Sequence, residues 1–254
     1  MAELQSNIDN KTIFAKLWDL SVELRQRIEV QFELHPDPST TKLKSDSSPI
    51  GEAKGSFNAF SGPEIDWLVH SWLKNPSSGF SNMHLTIWLG PHIRVPHLAF
   101  AFATIPESFL FIDYVARTDL STDLAYLDQY YEPANPTYLM LQSDPRLSPF
   151  ISKSTYIRQV LSATSLCYTG KSSEEFLELT RTVAHEMLDR WLIWVDEAQS
   201  VPHDKRVALA ERDLFVRRTI AERDPANLLV EKIFGPELTN ILVRALWGGD
   251  RGKI

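Results

Sequence analysis

GSFNAFSG (55–62), IDWLVHSWL (65–73), NMHLTIWLG (82–90), VPHLAFAFAT (95–104) and SFLFIDYV (108–115) decide the fold. In each stretch the apolar residues approach a period of two, and Gly, Pro, Asn and Ser separate one stretch from the next. Strand side chains alternate between faces, so five such runs joined by short turns predict an antiparallel sheet. Alternation also sorts the residues. Met83, Leu85, Ile87 and Leu89 share one face, with His84, Thr86 and Trp88 on the other; Leu98, Phe100 and Phe102 stand opposite His97, Ala99, Ala101 and Ala103. One face is therefore core. The other carries a row of alanines that either accommodates a packed helix or leaves a shallow floor for a large flat ligand, which Trp88 could also line.

Outside the sheet the period lengthens. Ile13, Leu17, Leu20, Leu24 and Ile28 follow one another at spacings of three and four, the apolar stripe of an amphipathic helix over 12–34. Residues 36–55 gather Pro36, Pro38 and Pro49 with Ser and Thr, the composition of a flexible loop. After Pro149, STYIRQVLSA (154–163) reads as a last strand. A helix over about 172–198 opens with Ser172 and Glu175 at capping-box spacing and turns Phe176, Leu179, Val183, Met187 and Trp191 to one side. A charge-dense helix over about 205–222 leads to Arg223, and Asp224 with Pro225 reads as the cap of a third helix that Gly235 closes before an amphipathic run to Trp247. Helices before and after the sheet, covering both faces, predict an α/β protein: an α/β/α sandwich around a central antiparallel β-sheet, in a single domain over 1–254.

Composition removes whole classes of function. Lys and Arg total 26 against 33 Asp and Glu, a formal net charge of −7, which argues against nucleic-acid and membrane-surface partners. Cys167 is the only cysteine, excluding a disulfide framework, a Cys-rich zinc site and an iron–sulfur cluster held by this chain alone. The opening MAELQSNIDN has two acids and no basic residue, unlike a secretory or transit peptide, and predicts a cytoplasmic protein. The uncharged apolar run 97–105 is far shorter than the roughly 20 residues of a membrane span. None of the 10 glycines falls in a GxGxxG or GxxxxGK[ST] pattern, no GxSxG elbow is present, and the helical HExx at His185 and Glu186 meets Asp189 instead of a second zinc ligand. The expectation is a protein with no bound cofactor or metal, either an enzyme or a binding protein.

Three polar residues stand out against apolar surroundings. Asp113 shares a strand face with Phe109 and Phe111, where desolvation would favour the protonated acid, unless it sits at a strand end and bonds a turn amide. His84 on its strand is either a satisfied structural histidine or a proton carrier. Asp224 alone reads as a helix cap.

Four segments then carry a resemblance: IDWLVHSWL, the strand around Asp113 followed by Arg117 and Asp119, SPFISKSTYIRQVLSATS (148–165) and RRTIAERDPANLLVEKIFG (217–235). In order and spacing they resemble the red chlorophyll catabolite reductases and, more distantly, the ferredoxin-dependent bilin reductases of the same superfamily. The resemblance implies an α/β/α sandwich that reduces an open-chain tetrapyrrole, a biliverdin-type bilin or the red chlorophyll catabolite, in proton-coupled single-electron steps through a substrate radical. It implies external reduced ferredoxin as electron donor, a monomer or homodimer, and catalytic roles for Asp113, Asp224 and His84. Arg158 would pair with a substrate propionate, and Arg117, Ala99, Ala101 and Trp88 would contact the substrate. The plant enzymes carry a glutamate near the position of Ala101, a departure that favours a biliverdin-like substrate. Ferredoxins are acidic, so Lys205, Arg206, Arg212, Arg217 and Arg218 are the candidate docking patch. The rival reading is a non-catalytic linear-tetrapyrrole carrier, which would need the pocket and Arg158 but not the proton donors.

Overall fold

The structure, a computed structural model, describes residues 9–47 and 51–251; MAELQSNI (1–8), on which the reading of the chain start rests, and Pro49 lie outside the described residues. In chain order come α1 (Asn10–Gln31), β1 (His35–Pro36), a 3-10 turn (Pro38–Leu43), β2 (Asp46–Ser47), β3 (Lys54–Ser61), β4 (Ile65–Asn75), β5 (Phe80–Leu89), β6 (His97–Ile105) and β7 (Glu107–Val115). There follow α2 (Leu124–Tyr130), α3 (Asn135–Gln142), β8 (Leu147–Pro149), α4 (Thr155–Val160), β9 (Leu166–Gly170), α5 (Glu174–Asp196), α6 (His203–Arg223), α7 (Asn227–Phe234) and α8 (Pro236–Trp247). The strands form one antiparallel sheet in the order β1-β3-β4-β5-β6-β7-β9-β8, with β2 beside β3.

Helices cover both faces, as an α/β/α sandwich requires. Asp9 caps α1 by accepting from the amides of Lys11 and Thr12, and Ile13, Leu17, Leu20, Leu24 and Ile28 are buried with the expected spacing. That stripe packs with Val183, Met187 and Trp191 of α5 against Leu85, Phe100 and Ile112, so α1 and α5 share one side of the sheet. Two buried hydrogen bonds fix α5: the Trp191 indole donates to the Pro96 carbonyl at 2.8 Å and the Tyr114 hydroxyl to the Met187 carbonyl at 2.8 Å. On the other side, Leu242 and Ala245 of α8 pack on Trp67, Val69 and Trp88, and the Trp67 indole donates to the Ala245 carbonyl at 3.2 Å.

Three local readings change. Ser173 rather than Ser172 caps α5, accepting from the Phe176 amide at 3.2 Å, while the Ser172 hydroxyl meets that of Ser108. STYIRQVLSA is helix and turn, not strand. The free edge of β7 is taken by LCYTG (166–170), which buries Leu166 and Tyr168, whereas no residue of α4 is buried. Residues 36–55, expected as a flexible loop, contain β1, the 3-10 turn and β2. Thr40 and Leu43 are buried there, and the Thr40 hydroxyl accepts from the Ala59 amide at 3.2 Å.

Candidate active site

The sheet face towards α6, α7 and α8 is the chemically mixed one. His84 on β5 pairs with Ala101 on β6, Ala101 with Phe111 on β7, and Phe111 with Cys167 on β9. All four are only partly covered. Four adjacent strands thus present a half-open row of small and flat side chains, with an alanine near its middle keeping it shallow.

Asp113 lies one step further along β7, opposite Ala99, and is 1% exposed. The turn after α4 folds over it. The Ser162 amide donates to Oδ2 at 3.1 Å and the Ser162 hydroxyl to Oδ1 at 2.5 Å, so one residue holds both carboxylate oxygens. Burial pushes the Asp113 carboxyl up to about 6, against the opposing pull of the Ser162 bonds. Asp113 does not reach solvent, but it does bond a turn amide, that of Ser162, as the structural alternative expected.

Asp224 ends α6 and does not cap the next helix directly: α7 begins at Asn227, and the Asp224 carboxylate accepts from the Ala226 amide at 2.8 Å in a short turn. Its charge reaches His84. Burial drives the His84 imidazole below its ordinary value, and the Asp224 carboxylate opposes that shift.

A groove of about 830 Å³ runs between residues 116–120, α4 and α6, with Tyr156, Leu161, Phe215 and Arg223 in its walls. It stops short of His84 and Asp113, but its wall residue Leu161 precedes Ser162, which holds Asp113, and Arg223 precedes Asp224. The Ser154 hydroxyl donates to the Arg223 carbonyl at 3.3 Å and the Arg223 guanidinium lies 4.9 Å from the Tyr156 ring centre, clasping α4 to the end of α6.

Several expected contacts lie elsewhere. Arg117 is 2% exposed; it gives Nε and Nη2 to Asp213 at 3.0 and 2.6 Å and bonds the Gly90 and Ile93 carbonyls. A buried guanidinium needs such a full set of acceptors, and this one has none left for a substrate. His97 completes the cluster. Its Nδ1 accepts from the Leu89 amide at 2.9 Å, leaving the proton on Nε2, 3.3 Å from Asp213. Burial and then the Arg117 charge hold His97 down at about 4. Burial would raise the Asp213 carboxyl, but His97 and Arg117 outweigh it and keep it below its ordinary value.

Trp88 and Ala99 are core rather than floor: both are 6% exposed, and the Arg217 guanidinium covers Trp88 at 5.7 Å. Ala101 is the alanine left open. Arg158 is exposed on α4 and donates to the Ser152 carbonyl at 2.7 Å, outside the groove walls. The expected docking cations are mostly spoken for as well. Arg217 is buried against Asp66, Arg212 bonds the Ala116 and Thr118 carbonyls, Arg206 bonds Val201 and Ser200, and Arg218 pairs with Glu222. Helix periodicity turns some of these side chains inward, which a charge count along the chain does not register. Ser162 carries no signal of its own in the sequence beyond the Ser/Thr run SATS (162–165) straight after an apolar segment, and Cys167 stands out there only as the single cysteine. Among the described residues no group of three or more His, Cys, Asp or Glu is placed to hold a metal, and no helix is long and apolar enough to cross a membrane.

The same sandwich recurs in a solved structure, phytochromobilin synthase from tomato in complex with biliverdin, with a TM-score of 0.81 over 93% of this chain and 83% of that one at 15% identity. The class is thus the antiparallel α/β/α sandwich of the bilin reductases. Residues 17–247 match the family model of red chlorophyll catabolite reductase, and the chain belongs to that family. It is an oxidoreductase. The chloroplastic red chlorophyll catabolite reductase of Arabidopsis thaliana is 26% identical over 251 residues, covering 89% of this chain and 78% of that protein. The Hordeum vulgare red chlorophyll catabolite reductase is 27% identical over 195 residues, covering 70% and 94%. The chloroplastic relative overturns the expectation of a cytoplasmic protein. The charge of ten residues was too little to carry a compartment.

Proposed function

We propose that the protein reduces an open-chain tetrapyrrole, a biliverdin-type bilin or the red chlorophyll catabolite, with electrons from reduced ferredoxin. The observation that carries this reading is a half-open floor with a buried acid at its edge: Asp113 under the Ser162 turn, one step along β7 from Phe111, with His84 on β5 in the same row. The pigment lies flat over Ala101 and Phe111. Each electron taken up makes the conjugated system more basic, and a proton from Asp113, Asp224 or His84 follows it, passing through a substrate radical. Two electrons and two protons convert one double bond to a single bond. A carboxyl held near 6 is partly protonated at neutral pH and can be reprotonated between steps, the compromise that general acid catalysis favours. The protein supplies binding, orientation and protons, and the small soluble donor supplies electrons.

An anaerobic absorption time course tests this. Purified protein is mixed with biliverdin or with the red chlorophyll catabolite, and reduced ferredoxin is added. Loss of the pigment band with growth of a product band, dependent on both protein and ferredoxin, is the expected result, and the pigment that turns over identifies the substrate. Binding of either pigment with no reduction of both would leave a carrier instead.

A further inference from the structure

We propose that Ser162 is the positioning residue that sets the proton affinity of Asp113. This deepens the reading of Asp113 as a proton donor and rests on it. The geometry is a two-point grip, amide to one oxygen at 3.1 Å and hydroxyl to the other at 2.5 Å, on a carboxyl with 1% exposure. Every other group facing Asp113 is weaker or uncharged: the Tyr114 amide from its own strand, the Ser165 hydroxyl from the same turn, Cys167 from β9 and Tyr131 from beyond α2. No Lys, Arg or His bonds the carboxylate among the described residues. With no cation to stabilise the anion, donation by neutral groups alone opposes the cost of burying charge, and Ser162 provides both of the short contacts.

Val160 and Leu161, immediately before Ser162, line the groove. Ser162 is thus the contact that joins the groove wall to the Asp113 carboxyl.

The test is infrared titration of the full chain carrying 13C-labelled aspartate, with the Asp113 carboxyl band assigned by its loss in Asp113→Asn. Ser162→Ala is expected to raise the titration midpoint by about one unit, because it removes a hydrogen bond made to the charged form. Ser162→Thr, which keeps the hydroxyl, should return it. The alkaline limb of the turnover profile should move up with the band in the alanine variant. Equal midpoints in wild type and Ser162→Ala, with equal melting temperatures, would overturn the proposal. If alanine destabilises the turn, Ser162→Cys, similar in volume but a weaker donor, must raise the midpoint or the proposal fails. The band reports protonation whether or not Asp113 is catalytic, so full turnover by Asp113→Asn would sink the functional reading and leave this result standing.

Discussion

On β5 and β6, Met83, Leu85, Ile87, Leu98, Phe100 and Phe102 point to α1 and α5 and are each at most 1% exposed. Their immediate neighbours His84, Thr86 and Ala101 point to the opposite side and keep part of their surface open. The strands are the same; only the alternate residues differ. The first face is close-packed by two long helices, and a polar group there would have to find a partner or lose its hydration. The second is roofed by α6 with the short α7 and α8 and fastened by the buried pair Arg117 with Asp213 and by the buried Arg217 with the half-buried Asp66. Fastening by a few directional bonds leaves room between them. A fold that concentrates its dispersion and burial energy on one side can keep acids and an uncovered floor on the other.

The comparison would break first at Asp113. Asp113→Asn is expected to slow reduction by about 10²–10⁴-fold while pigment binding, followed by absorption, persists; unchanged turnover would mean that the mixed face is not the reacting face. On the opposite face, Trp191→Ala should cost about 3–5 kcal/mol in urea unfolding, through the cavity left by a fully buried indole. A loss below ~1 kcal/mol would show that this face is not the close-packed one. Arg117→Met tests the fastening of the mixed face. It strands Asp213 in a buried site and should cost about 3 kcal/mol, with the alkaline limb of turnover unmoved because Arg117 makes no contact with Asp113.

Asp113 also links the two faces through stability. Burial raises its carboxyl in the folded protein to about 6 from the ordinary 3.8. The native state therefore binds a proton that the unfolded chain releases between those values, and the contribution, full below 3.8, is lost as pH rises through about 6. Asp113→Asn, which cannot ionise, should gain about 1–3 kcal/mol over wild type at pH 8 and little at pH 3.5, read from urea midpoints at both. A pH-independent difference would mean that the acid is not desolvated. The smallest effect is expected outside both layers. Glu174→Gln removes the exposed pair with Lys16 and should change stability by less than ~0.5 kcal/mol.

The strands, the α1 stripe and the long helices were legible because each is a local pattern in which neighbouring residues declare their face. Where the local signal was ambiguous it failed. STYIRQVLSA has the β-branched and aromatic residues of a strand, but the sheet edge it would have joined is occupied by Leu166–Gly170. Asp113 and His84 could be placed on the mixed face by counting alternate residues. Arg117 could not be placed: an arginine near an aspartate in a family-like segment fits a substrate contact as well as a structural pair, and only the position of Asp213, 96 residues away, decides between them.

By itself the sequence determined which residues share a sheet face, that the chain is an antiparallel sheet between helices, and that its acids lie among apolar neighbours, since alternation and helical period follow from backbone geometry over a few residues. Tertiary structure alone decided that Ser162 grips Asp113 from 49 residues away, that Asp224 gives its carboxylate to the Ala226 amide in a turn before α7, and that Arg117 and Arg217 turn inward. Those pairings depend on how α4 and α6 pack across the sheet, where small differences in helix position choose between a solvated charge and a buried one.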